Sequence, residues 1–120
     1  MIIEFFVSGN PVPKQSYRHS KRGGYQPERV TDWQEYVGWQ AKLYHRGKPT
    51  RKRYSVSLIF YFPKYRRGRR PDVGNLEKPV LDAMNKIVYE DDEQVDELYL
   101  RKYFNSDNPG VMIAVKEIYE

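Results

Sequence analysis

The sequence predicts a single α/β (α+β) domain, residues 1–120, with helices packed on a mixed β-sheet in the order strand, helix, strand, helix, strand, strand. Three observations carry this. Four segments alternate apolar and polar residues with a period of two, and two others repeat apolar residues at helical spacing. The 120 residues, 39% of them hydrophobic, suit one core that buries roughly two thirds of the unfolded chain's surface. With no cysteine, disulfide frameworks, zinc ribbons and thiol catalysis are excluded. No apolar run approaches the ~18 residues of a membrane span, and Met1 to Val7 lack a secretion signal, so a soluble cytoplasmic protein is expected.

Ile3, Phe5 and Val7 alternate with Ile2, Glu4, Phe6 and Ser8 and read as the first strand, ended by Gly9, Asn10, Pro11 and Pro13. The stretch to about Pro27 is rich in glycine, basic and polar residues and reads as a long exposed loop. Thr31 and Gln34 make a capping box, and Trp33, Tyr36, Val37, Ala41 and Tyr44 recur at helical spacing, predicting a helix over about 32–44 whose stripe is core and leaves Trp39 spare. Tyr54, Val56, Leu58, Phe60 and Phe62 predict the second strand, closed by Pro63 and a basic loop. Leu76, Val80, Ala83, Met84 and Ile87 share one helical face, with Asn75, Lys78 and Asp82 opposite. Pro79 lacks the N–H of an interior helical residue, so the regular helix is expected either to begin there or to follow an irregular turn. Leu98, Leu100 and Phe104, then Val111, Ile113 and Val115, predict two strands joined by a turn at Asn105 to Gly110 into an antiparallel hairpin.

Charge is distributed unevenly. Residues 1–71 hold 16 Lys/Arg against 4 Asp/Glu, and residues 72–120 hold 5 against 12, giving the overall +5. The basic clusters Lys14 to Arg22, Arg51 to Arg53 and Lys64 to Arg70 are interrupted by Tyr17, Tyr54 and Tyr65, a pattern suited to tracking phosphates with aromatic faces at hand. A nucleic-acid partner is expected, against the plainer alternative of a solvated basic surface.

Two acidic features flank the second helix: Asp72, directly after the third basic cluster, and the run Glu90 to Glu93. Carboxylates beside cations suit Mg²⁺-dependent phosphodiester chemistry, in which hard oxygen ligands hold the metal and basic groups hold the backbone. The competing reading is a helix N-cap at Asp72 and a solvated acidic loop. His19 and His45 are the two histidines, and nothing in the sequence supplies either with an orienting partner.

The string from Arg69 through Asp72, Gly74, Asn75, Leu76 and Lys78, then Asp82 and Ala83, to Asp91, Asp92, Gln94 and Val95 resembles the signature of the RusA family of Holliday junction resolvases, small phage- and prophage-encoded endonucleases. The likeness extends to Pro11, Pro13, Lys14, Gln15 and Arg18, to the length and to the order of elements. It implies a homodimer that binds four-way junction DNA and nicks it in pairs with Mg²⁺, in recombination and repair, with no membrane or small-molecule cofactor. By position, the resemblance makes Asp72 and Asp92 metal-ligating and catalytic carboxylates, Asp91 a neighbouring ligand, and Lys78 the cation at the scissile phosphate. Lys14, Arg18, Arg66, Arg67, Arg69 and Arg70 would grip backbone phosphates.

One position departs from the signature. Gly74 stands where the family's Asp-x-Asp segment has its second carboxylate, which weakens the expected site; Glu77, Asp82, Glu90 and Asp91 are the acids available to compensate. This departure favours a second expectation, a junction-binding protein with weak or no cleavage. A third is a basic RNA- or single-strand-binding module whose acids are structural.

Overall fold

The computed structural model describes residues 2–14, 18–20, 23–25, 28–64 and 71–119. Its elements are β1 (Ile2–Ser8), β2 (Arg18–Ser20), β3 (Gly23–Tyr25), α1 (Glu28–Tyr44), β4 (Tyr54–Tyr61), α2 (Val73–Ala83), a 3₁₀ turn (Asp92–Gln94), β5 (Val95–Tyr103) and β6 (Gly110–Glu117). The α/β class and the order of the main elements are those the sequence predicts.

Four strands form one mixed sheet in the order β1-β6-β4-β5. β6 runs antiparallel to both β1 and β4, while β4 and β5 are parallel. A parallel pair requires a crossover, and α2 supplies it. The period-two residues of β1, β4 and β6 all point to one face, where Phe5, Val56, Leu58, Phe60, Ile113 and Val115 are buried beneath the helices. Trp33, Val37 and Ala41 of α1 and Leu76, Val80 and Met84 beyond them close the core from the helical side. Where the helices touch, Gly38 permits a close approach: a Cβ would lie 3.2 Å from the Ala83 carbonyl oxygen, a tight contact that the helices would have to ease apart to admit. Tyr44 is more than half exposed yet stacks on Phe5 at 5.0 Å, and Trp39 faces solvent as expected.

Four expectations are corrected. β5 and β6 are joined by a turn but do not pair, because β4 lies between them. The burial of β4, complete on one face and partial on the other, suits a strand with two partners, whereas β5 carries Asp96, Glu97, Arg101 and Lys102 and has the charged character of an edge. α1 begins at Glu28, a turn before the predicted cap, so Thr31 lies inside the helix. The segment read as a long loop contains the β2–β3 hairpin, with Arg18 opposite Tyr25 and Ser20 opposite Gly23; strands of three residues containing two glycines leave no alternation to read. Pro79 neither starts α2 nor follows an irregular turn, but sits buried inside it.

Candidate active site

Asp72 occupies the N-cap position of α2, its backbone extended and its carbonyl accepting the N–H groups of Asn75 and Leu76 at 3.1 and 3.2 Å. Its side chain makes no capping bond. The exposed carboxylate is therefore not consumed by the helix, although the position is one where aspartate ordinarily caps. Lys102 on β5 donates its ammonium to the Pro71 carbonyl at 2.6 Å and ties the approach to Asp72 to the sheet edge.

One turn and a half along α2, Lys78 reaches two carboxylates. Its Nζ lies 3.1 Å from Asp82 Oδ1, one helical turn ahead, and 3.3 Å from Asp92 Oδ2, across the chain reversal that follows the helix. The hydrogen bond to Asp82 raises the Lys78 pKa first of all, burial opposes it, and Asp92 adds to the rise, so the ammonium is held charged. Beside it, burial pushes the Glu77 carboxyl upward; Lys78 pulls the other way and the Asp92 charge adds to the rise. Glu77 Oε2 is enclosed and has no hydrogen-bond partner among the described residues.

Asp92 is positioned by a dense local network. α2 ends at Ala83 and the chain turns through Lys86, whose φ of 65° marks a left-handed residue. Thr50 brackets the returning strand, donating its N–H to the Val88 carbonyl and accepting from the Glu90 N–H, both at 3.2 Å. The buried Gln94 side chain then serves four backbone groups. Its Nε2 donates to the Thr50 and Lys52 carbonyls at 2.9 and 2.8 Å, and its Oε1 accepts from Glu90 and Asp91 N–H at 3.0 and 3.1 Å. Asp91 Oδ1 accepts the Glu93 N–H at 3.0 Å and caps the 3₁₀ turn that carries Asp92. Below, the Tyr89 hydroxyl donates to the Leu81 carbonyl at 2.7 Å; burial, followed by the charges of Asp92, Asp82 and Asp91, raises its pKa far above the usual phenol value.

Of the residues singled out from the sequence, Lys78 and Asp92 meet directly. Asp72 stands at the head of the same helix as Lys78, and no described contact joins it to Asp92. Among the described residues, nothing lies within 4 Å of where a Cβ at Gly74 would stand. Among the described residues no group of three or more acidic or histidine side chains is disposed to hold a metal ion by itself. Lys14 is half-buried, and its backbone is bound to α2. Arg18 lies in β2, with its side chain outside the described residues, as are Gln15, Lys21, Arg22, Arg66, Arg67, Arg69 and Arg70 altogether. His45 Nε2 lies 3.1 Å from the Lys48 carbonyl oxygen, away from this cluster.

The middle basic cluster is partly committed to internal partners. Arg53 pairs with Asp96, donating from Nε at 2.9 Å, and with Glu93, and the Asp96 contact is the main cause of its raised pKa. Lys52 lies 3.3 Å from Glu117. Asp82 is the residue whose place beside the lysine the sequence shows through spacing alone, as an i, i+4 pair. Lys102 and the bridging of Gln94 to Thr50 depend on non-local contacts; Gln94 belongs to the signature string, but neither spacing nor periodicity marks its partners or Lys102.

The profile of a family described as Endodeoxyribonuclease RusA matches residues 8–116. The crossover junction endodeoxyribonuclease RusA of Aquifex aeolicus (strain VF5) is 28% identical over 117 residues, covering 95% of this chain and 90% of that protein. An uncharacterized protein, YqaN of Bacillus subtilis (strain 168), is 28% identical over 138 residues, covering 97% and 96% respectively.

Proposed function

The chain belongs to the RusA endodeoxyribonuclease family, and from that premise we propose that it is a Mg²⁺-dependent, structure-specific endodeoxyribonuclease that resolves four-way DNA junctions by paired nicking, working as a homodimer on DNA inside the cell. The observation that carries this reading is the Lys78 Nζ to Asp92 Oδ2 contact at 3.3 Å. It joins the two signature segments, 69–84 and 91–95, into one cluster of cation and carboxylate.

The donors present fit a hard divalent cation. Asp72 has a carboxylate not used for capping, Asp92 stands at the head of an ordered turn, and Glu77 Oε2 is an enclosed oxygen with no hydrogen-bond partner among the described residues. Mg²⁺ characteristically takes one or two protein carboxylates and completes its octahedron with water and substrate phosphate, so a three-residue cage is not required. When bound, such a cation supplies a Lewis acid and a water of lowered pKa. Lys78, kept protonated, offsets negative charge gathering on the phosphate and the leaving oxygen. Asp82 holds that ammonium from its own helix, and Gln94 and Asp91 fix the loop bearing Asp92. Lys14, Arg18, Arg66, Arg67, Arg69 and Arg70 hold the strands by their phosphates. A symmetric dimer presents two equivalent centres to two strands of like geometry, as paired nicking demands.

The missing carboxylate at Gly74 favours one second reading, junction binding with little cleavage. Incubating the protein with an end-labelled four-way junction and a linear duplex, over a range of Mg²⁺ and Mn²⁺, separates the two. Symmetric nicks on the junction alone support resolution; tight binding without nicks at any metal concentration supports the binding-only reading.

A further inference from the structure

The proline inside α2 has a consequence on the far side of the chain. An α-helical residue at 79 would donate its N–H to the Asn75 carbonyl, but proline has no N–H, and its ring pushes that carbonyl away from the helix axis. The vacated acceptor is taken: the Lys14 backbone N–H donates to Asn75 O at 2.7 Å. The segment leading there is secured at two further points. Gly9 N–H donates to the Pro109 carbonyl at 3.0 Å, and Val12 packs against the core beside the buried Pro11. Asn75 lies three residues after Asp72 and three before Lys78, so the docking point is ~4.5 Å along the helix axis from each.

We propose that Pro79 is a positioning residue: by releasing the Asn75 carbonyl from the helix, it docks the backbone of Lys14 between Asp72 and Lys78, and so sets a phosphate-binding lysine against the reacting strand. This rests on the reading of Lys14 as a phosphate contact. Pro79 itself touches no substrate. Two prolines, Pro11 and Pro13, leave Val12 and Lys14 as the only backbone donors in residues 11–14, and Lys14 opens the basic cluster that runs to Arg22.

The test compares Pro79→Ala with Lys14→Ala, reading amide hydrogen exchange at residue 14 by NMR and junction affinity against salt. Alanine is the best helix former, so Pro79→Ala folds, restores a competing donor for Asn75 O and adds protection within α2. The expected result is exchange at the Lys14 amide accelerated at least about tenfold, with junction affinity reduced about tenfold and the salt slope lowered by roughly one unit, as for one lost phosphate contact. Lys14→Ala keeps the N–H, so residue 14 stays protected while affinity falls similarly. Unchanged exchange at Lys14 in Pro79→Ala overturns the docking. Normal junction binding by Pro79→Ala beside weakened binding by Lys14→Ala overturns the positioning role alone, and normal binding by Lys14→Ala removes the phosphate contact beneath it.

Discussion

Lys78 sits between Asp82 and Asp92, and each carboxylate holds its charge in place for a different reason: the first by helical spacing, the second by a fold-imposed reversal of the chain. Removing the ammonium leaves the two carboxylates facing each other and takes away the cation proposed at the phosphate. Lys78→Met is therefore expected to lower single-turnover junction cleavage by about 10²- to 10³-fold, the scale for one transition-state charge donor. Junction affinity measured by gel shift should fall far less. At Gly74 the prediction runs the other way. A side chain there meets none of the described residues within 4 Å, and the backbone is not in the left-handed region, so Gly74→Asp is expected to fold. The added carboxylate should tighten Mn²⁺ binding, followed by paramagnetic resonance, by roughly tenfold, since ligand charge count sets affinity. Unaltered Mn²⁺ affinity would show that residue 74 does not face the cation. The Lys78–Asp82 pair is legible in the sequence as an i, i+4 spacing. The approach of Asp92 is not, because it depends on the path of residues 84–91, and the enclosure of the Glu77 oxygen is a property of packing that no motif encodes.

At the scale of elements, β1, β4 and most of the core faces of α1 and α2 follow from their periodicity, because one buried face imposes its period on the sequence, whereas Tyr36 and Tyr44 of the α1 stripe are exposed. What periodicity does not encode is the neighbour. The turn at 105–110 reads as a hairpin, yet β6 finds β4 and β1 while β5 takes the outer edge, since the α2 crossover has already placed β5 parallel to β4. Pro79 reads as a helix breaker because the partner for the freed carbonyl is Lys14, at the other end of the chain. The Asp92 turn depends on Gln94 in the same non-local way. Gln94→Leu strips the Lys52 carbonyl and the Asp91 N–H of their side-chain partner, and should cost about 2–3 kcal/mol in urea unfolding, in the range for buried groups left unpaired. Cleavage, assayed well below the unfolding midpoint, should fall as well, because the turn that aims Asp92 loosens. Full activity with intact stability would mean that the turn holds its shape without the amide.

For the whole molecule, the division of charge into a basic first part and an acidic second part is the feature that points to a polyanionic partner. The fold qualifies it by pairing Lys52 and Arg53 with acids of the second part, although exposed pairs of this kind contribute little to stability. The phosphate-binding assignment therefore falls more heavily on the flanks of the site. Replacing Arg69 and Arg70 together with alanine should lower the slope of log affinity against log salt by about two units if each touches a phosphate. An unchanged slope would take both out of the interface. The proposed paired nicking further requires that the active species sediment as a dimer.

Asp92, held beside Lys78, is the proposed carboxylate of the centre that cuts the junction. The most direct measurement is of Asp92→Asn and the wild-type protein side by side, with junction affinity and single-turnover cleavage read from the same preparations. Asn is expected to abolish cleavage and leave binding intact or tighter, since a negative charge near the phosphate has been removed. Cleavage at the wild-type rate by Asp92→Asn would contradict that role.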